Sequence, residues 1–369
     1  MSGDRPRHIV LTITNDPNYD QRMIRICTSL HEAGYKVTLI GRERPISKPL
    51  IPRAFRQIRI RQRIDKGKLF YLTYNLKLLL RLLFIRADAF CAIDLDTILP
   101  VYYASKIRRM PRVYDAHELF CYMQEVISRP GIYKMWQAIE KHSVPNFPVG
   151  YTVSESYRQA YLAQYGVDYK VVMNATVLRP VHIPDRQEKY ILYQGAVNVG
   201  RCFEELIPAM QWVDVPLIIC GEGNFYEAAQ ALVKKYGLEG KVIFKGYVPP
   251  AELPAYTLNA TIGITLFVAG SKSNELSLAN RFFDYMHAGV PQLGVAYPEY
   301  EHINRQYEVA TLLQEVTPET IAAALNHLLQ DAVYYKRLQQ NALQAREVYN
   351  WQQQEVTLLE VYRKLFAGK

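Results

Sequence analysis

The first stretch of the chain already restricts it to a narrow set of folds. Ile9–Thr14 is an apolar run of strand length, followed by the polar loop Asn15–Asp20. Gln21–Ala33 then carries Met23, Ile26, Cys27 and Leu30 at helical spacing, and Gly34 closes it. Tyr35–Ile40 is a second strand. A strand, a helix and a strand joined by short links make a βαβ unit, so the strands are parallel and the crossover is right-handed. In such sheets ligands bind outside the carboxyl ends of the strands, which marks Asn15–Arg22 as a site-lining loop.

The same alternation continues. Ala89–Ile93, Arg112–Asp115 and Gly150–Ser154 read as strands, and Lys170–Asn174 as a further short one. Ala175–Glu188 contains Pro180 and Pro184, lacks periodicity and reads as a linker. A second series follows, with strands at Tyr190–Gln194, Val215–Cys220, Val242–Phe244, Thr261–Leu266 and Gln292–Val295. Helices are expected at Glu204–Met210, Phe225–Tyr236, Glu252–Leu258, Thr317–Leu329, Ala332–Tyr349 and Gln352–Phe366. A chain of 369 residues exceeds the size at which single cores stop growing. The expected fold class is therefore α/β, with two doubly wound, Rossmann-like domains and a ligand cleft between them.

Asn274–Pro291 stands out in the second series. It reads as a helix with Ser277 as N-cap, Gly289 at C′ and Pro291 as the stop. Ser277, Asn280, Arg281 and Asp284 fall on one side at helical spacing, and Leu278, Phe282 and Met286 on another. Such a polar stripe needs something to hold, either a neighbouring loop or a ligand. Earlier in the same domain, Gly195, Asn198, Gly200 and Arg201 lie between a strand and a helix. Backbone amides, a helix dipole and a guanidinium there suit a phosphate, although glycine turns with a basic residue are common.

Asp115-Ala-His-Glu118 ends a short buried strand at the ligand-binding edge. A lone histidine is more often structural, but His117, between carboxylates, can bond a sugar hydroxyl or carry a proton near neutral pH. Asp94 and Asp96 read as strand-end turn residues. They are the nearest approach to a divalent-ion pair, and no metal site is expected.

Charge is unevenly spread. Residues 1–180 carry a balance of +13 and residues 181–369 a balance of −4. A basic first half points to an anionic partner, either nucleic acid or a membrane surface. The strongest candidate is the segment 53–86. Arg53, Arg56, Arg59, Arg61, Arg63, Lys66 and Lys68 precede a leucine-rich helix, Leu69–Ile85, with Lys77, Arg81 and Arg86. That helix reads either as a core helix with snorkelling ends or as one lying on a bilayer. The five scattered cysteines suggest a reducing compartment. Met1–His8 lacks a leader pattern and no apolar run is long enough to span a bilayer, so a cytoplasmic protein is expected.

The order of these parts resembles the retaining glycosyltransferases of the group 1, or family 4, type with GT-B architecture. The residues that carry the resemblance are Tyr193-Gln-Gly-Ala-Val-Asn-Val-Gly-Arg201, Cys220-Gly-Glu-Gly223, Phe244-Lys-Gly-Tyr-Val248 and Asn280-Arg-Phe-Phe-Asp-Tyr-Met-His-Ala-Gly-Val-Pro291. Asp115-Ala-His-Glu118 and Asp20-Gln-Arg22 look like the N-terminal counterparts. The resemblance implies an N-terminal acceptor-side domain over 1–178 and a nucleotide-sugar domain over 179–350. A helix over 351–369 is then expected to cross back to the first domain.

It also implies transfer of a sugar from a nucleotide-sugar donor, with retention, to a lipid-linked or saccharide acceptor in cell-surface polysaccharide synthesis. No cofactor, metal or nucleic-acid partner is implied. His117, Arg201 and Glu275 are the implied catalytic residues, with Asp20, Arg22 and Glu118 on the acceptor side. Gly195, Asn198, Gly200, Gly221, Lys245, Asn274, Leu276, Ser277, Asn280, Arg281 and Asp284 would hold the donor. The family pattern has two glutamates; Asp284 occupies the place of the second, and Leu276 that of the first. Glu275, or backbone groups of Asn274–Ser277, would then substitute. Ala196 stands where an arginine is usual, which leaves Arg201, helped by Lys245 or Arg281, with the diphosphate. The basic segment 53–86 would place the protein on the inner face of the plasma membrane. The competing expectations are a sugar-nucleotide epimerase of the same fold and a non-catalytic nucleotide-sugar-binding relative.

Overall fold

The computed structural model describes residues 5–45, 47–64, 66–184 and 188–367. It divides into two compact units. One comprises residues 1–173 and 354–369 and the other residues 174–353.

Unit 1 contains strands β1 (His8–Thr12), β2 (Lys36–Glu43), β3 (Arg56–Arg61), β4 (Ala89–Ile93), β5 (Arg112–Ala116), β6 (Gly150–Thr152) and β7 (Lys170–Val171). They form one sheet in the order β3-β2-β1-β4-β5-β6-β7, and all pairs are parallel. β1 and β4 are buried along their whole length, as central parallel strands covered on both faces must be. The chain order reverses between β1 and β4, so their carboxyl ends flank the crevice such sheets use for ligands. At the sheet's edge, β3 alternates Gln57, Arg59 and Arg61 with Arg56, Ile58 and Ile60. Charged side chains on an edge strand oppose pairing with another chain.

Unit 2 contains β8 (Ile191–Gln194), β9 (Leu217–Cys220), β10 (Val242–Gly246), β11 (Ile262–Thr265), β12 (Gln292–Val295) and β13 (Ala310–Leu313). Their order is β10-β9-β8-β11-β12-β13, again parallel throughout. Here the reversal falls between β8 and β11. Two parallel-stranded α/β units of Rossmann-like type are thus present.

Several elements escape the sequence reading. Ile98–Ile107 is helical, yet it buries most of its residues and shows no polar stripe. Pro130–Ser143, Glu155–Tyr165 and Pro298–Gln306 are also helices, and β13 was not expected. The expected linker is corrected at its start. Asn174 bonds Asn280 and Thr176 bonds Asp284, while the Thr176 carbonyl accepts from Trp351, so this segment belongs to unit 2. Residues 185–187 of that linker lie outside the described residues.

The last helix, Trp351–Ala367, starts in unit 2 and ends in unit 1. Tyr362 anchors it there. Its fully buried ring lies 6.4 Å from those of Tyr151 and Tyr35, and its hydroxyl is 3.4 Å from that of Tyr151. Tyr362→Ala is expected to cost about 3–5 kcal/mol by leaving a cavity. Chemical denaturation measures that loss, and hydrogen exchange should show residues 354–367 losing protection; an unchanged pattern would count against this anchor.

Candidate functional site

In unit 1 the expected residues gather at the carboxyl ends of β1, β4 and β5. Asp115, the penultimate residue of β5, is fully buried and receives a 3.0 Å bond from Arg22, whose side chain is itself 4% exposed. Arg22 also donates to the Val172 carbonyl at 2.9 Å. Its helix, Gln21–Glu32, is capped by Asp20, whose carboxylate accepts from the Met23 amide. Asp20 and Arg22 thus have definite structural partners: one fixes the helix start, the other supports the loop after β5.

His117 Nε2 lies 2.7 Å from both Asp115 Oδ2 and Arg22 Nε. One ring nitrogen cannot serve both. With its proton there it donates to Asp115; with the proton on Nδ1 it accepts from Arg22 and turns the proton toward Asp94 Oδ2, 3.7 Å away. Asp94 pins the loop from beneath, its Oδ1 accepting from the amides of His117 and Glu118 at 2.8 and 3.1 Å. Its own φ of 54° is unusual for a non-glycine residue, a strain the surrounding bonds must hold.

The electrostatics follow from this packing. Burial disfavours a charged Asp115, but Arg22 and His117 outweigh it and hold the carboxyl below its usual range. Burial likewise opposes charge on His117, and Asp115 with Asp94 raises it nonetheless, against Arg22. Burial pushes Asp94 up to about 8, with His117 opposing and the neighbouring carboxylates adding. Asp96, bonded by Thr14, rises for the same reason to about 6. The result is a largely buried imidazole whose proton is held between two aspartates.

In unit 2 the loops after β8 and β9 interlock. Gly195 and Val197 donate to the carbonyls of Cys220 and Glu222, and the Asn198 side chain accepts from the Asn224 amide. A side-chain carbon on Gly221 would lie 1.8 Å from the Gly195 carbonyl oxygen. Only glycine fits there. The Gly200 carbonyl accepts from Val268, which ties the loop to the chain beyond β11. Arg201 lies over the Phe267 ring at 4.4 Å and donates to Asn274 at 3.3 Å. Arg281 covers the same ring and that of Tyr193, both at 4.7 Å. Two guanidiniums beside a glycine loop raise the local positive potential and suit an anionic ligand. Lys245 stands exposed near the end of β10.

The polar stripe needs one correction. Ser277 does not cap the helix, because its hydroxyl turns back to the Asn274 carbonyl. The stretch instead breaks into a short turn, Lys272–Glu275, and a helix, Asn280–His287, with Ala279 at the N-cap. Leu276, half-buried, ends the first piece. Glu275 accepts from the Gly270 amide at 2.6 Å. Arg281 is buried and bonds the Ile264 and Leu266 carbonyls. Asp284 receives Thr176 at 2.6 Å and Gln194 at 3.0 Å, and Gln194 in turn accepts from Thr257 at 2.7 Å. The stripe therefore holds neighbouring loops. Gln194, Thr176 and Thr257 were missed; only Gln194, ending a strand beside the glycine loop, carried a sequence signal.

A pH test isolates Asp94. Between the ordinary carboxyl range and about 8, the folded chain keeps a proton on this group that the unfolded chain releases. Its contribution to stability therefore falls as pH rises through that window. Asp94→Asn retains the acceptor for both amides without titrating. Its melting temperature relative to the parent should climb from about pH 5 to about pH 8; a constant difference in calorimetry would refute this.

Comparison with known proteins bears on both units. Residues 175–345 match the family model described as glycosyl transferases group 1. No curated protein matches the chain. Sucrose-phosphate synthase from Thermosynechococcus elongatus superposes with a TM-score of 0.82 at 18% identity, covering 98% of this chain and 100% of that one. Anabaena HepE in complex with UDP and glucose gives 0.77 at 14%, covering 96% and 99%. WaaG, a glycosyltransferase involved in lipopolysaccharide biosynthesis, gives 0.72 at 13%, covering 96% and 99%. At these identities the likeness is one of fold. The chain resembles the group 1 glycosyltransferases of GT-B architecture, and its second unit carries the family match.

Proposed function

We propose that the chain transfers a sugar from a nucleotide-sugar donor to a lipid-linked or polysaccharide acceptor, with retention and without a bound metal ion. The observation that carries this reading is the second unit's glycine loop, with Arg201 fixed between Phe267 and Asn274. Loss of a nucleoside diphosphate builds negative charge on the leaving phosphate. Arg201 and the amides of Gly195–Gly200 would stabilise that charge as it forms, with Arg281 adding to the field. Asp284, oriented by Thr176 and Gln194, offers carboxylate oxygens to the ribose hydroxyls. His117 would meet the transferred sugar or the acceptor hydroxyl, and Asp115 and Arg22 set its proton. The UDP and glucose bound to HepE support such a donor, and the lipopolysaccharide role stated for WaaG supports a surface-polysaccharide product.

A membrane-bound acceptor fits a second feature. Among the described residues no helix is long and apolar enough to cross a membrane. The helix Gly67–Phe84, however, buries Phe70, Tyr74, Leu78 and Leu82 and exposes Leu69, Leu72, Leu76, Leu80 and Phe84 on its other side. Exposed leucines at helical spacing, flanked by Lys77, Arg81 and Arg86, suit the surface of an anionic bilayer, here the inner face of the plasma membrane.

Arg201→Ala should lower the turnover of donor hydrolysis about 10²–10³-fold, the cost of losing one transition-state donor. Asp284→Ala should weaken nucleotide binding in calorimetry. EDTA should change neither, and a strict metal requirement would overturn the mechanism. A chain that binds no nucleoside diphosphate would be neither a transferase nor an epimerase. For the membrane contact, neutralising Lys77, Arg81 and Arg86 together should abolish flotation with anionic liposomes; unchanged flotation would refute it.

A further inference from the structure

The Phe267 ring carries both guanidiniums of the glycine-loop site, Arg201 at 4.4 Å and Arg281 at 4.7 Å. Two like charges on one ring repel, so their directions depend on how firmly that ring is held. The start of the helix Pro298–Gln306 holds it. Tyr297, the N-cap residue of that helix, donates its hydroxyl to the Phe267 carbonyl at 3.0 Å. Three residues on, the hydroxyl of the fully buried Tyr300 accepts from the Ala279 amide at 3.0 Å. Ala279 is the N-cap of the helix that bears Arg281 and Asp284. The Tyr300 hydroxyl stands where a capping box would place a side chain of the helix itself against the N-cap amide. Its ring packs edge-on against Phe282 at 5.0 Å. Burial pushes both phenols up to about 12, so each hydroxyl keeps its proton across the neutral range.

We propose that Tyr297 and Tyr300 are positioning residues of the donor site. Through Phe267 and Ala279 they fix the directions of the two guanidiniums that meet the donor's leaving phosphate. The proposal rests on the donor reading given for this site and adds to it residues that touch no ligand themselves. Cations aligned during folding lose little further freedom when a phosphate arrives. The leaving phosphate is the one that a nucleoside monophosphate lacks. Selectivity for the diphosphate over the monophosphate therefore reports the alignment of the pair.

Calorimetry with UDP, GDP and ADP, and with the corresponding monophosphates, reads that selectivity. Tyr297→Phe removes only the hydroxyl bonded to Phe267. It should weaken diphosphate binding about three- to tenfold, the worth of one hydrogen bond, and leave monophosphate binding at the parent level. Tyr300→Phe, which leaves the Ala279 amide unmet, should shift the selectivity in the same direction. A purely structural role would weaken both ligands alike and keep the parent selectivity, and that result would overturn the proposal. A double-mutant cycle gives the second test. Tyr297→Phe should weaken diphosphate binding less in an Arg201→Ala chain than in the parent, because the two act together; additive losses would overturn it. A parent chain that binds a diphosphate while Tyr297→Phe binds it equally well would overturn the positioning role alone. A parent that binds none of the three would overturn the donor reading as well.

Discussion

Parallel pairing places the carboxyl ends of all strands in a unit along one edge of its sheet. In unit 1 that edge presents the loop after β1, Asp94 after β4 and His117 after β5. In unit 2 it presents the glycine loop after β8, Gly221 after β9 and Phe267 after β11. Because the chain order reverses beside β1 and β8, their neighbouring helices leave in opposite directions and open a crevice. His117, the Gly195–Arg201 loop and Gly221 stand at or next to such an end, and Asp284 lies on a helix packed against β11.

Position alone would leave those side chains free to rotate, and buried charge is what holds them. Asp115 and Arg22 are removed from water together, a pairing that is costly to break from one side because the other charge is then stranded. Their bonds to His117 and the Val172 carbonyl make the pair a brace between the first helix, the β5 loop and the segment leaving β7. Unit 2 reaches rigidity differently. Its cations rest on aromatic faces and carbonyls, so Arg201 and Arg281 keep their charge in a partly apolar setting. One unit thus fixes a proton and the other a field of positive charge.

The alternation of strands and helices was legible because parallel strands are short apolar runs and their helices amphipathic. Ile98–Ile107 was illegible for the opposite reason: buried on most sides, it has no polar face to mark its period. His117 and Arg201 could be singled out by type and place. Gln194 and Thr257 could not be linked, since their bond joins residues 63 positions apart and depends on the register of β8. The helix start at Ala279 was hidden by Ser277, a good capping residue whose hydroxyl finds a nearer carbonyl. Local side-chain competition of this kind leaves no trace in spacing.

The polar stripe of Asn280–His287 posed a choice between a loop and a ligand as its partner, and Asn280, Arg281 and Asp284 are seen bonded to neighbouring loops and strand ends. Bonds from Thr176 and Gln194 orient the Asp284 carboxylate. An unsupported aspartate would lose rotamer freedom on meeting a ribose; one already braced has lost it during folding. The same logic applies one turn earlier. Arg281 spends its Nε on the Ile264 carbonyl and thereby keeps its charge beside Gly195, where a glycine leaves room for the backbone to approach an anion. Loop contacts in the stripe therefore fix the directions of its charges, and under the proposed donor role they would hold the shorter aspartate in place before a ribose arrives.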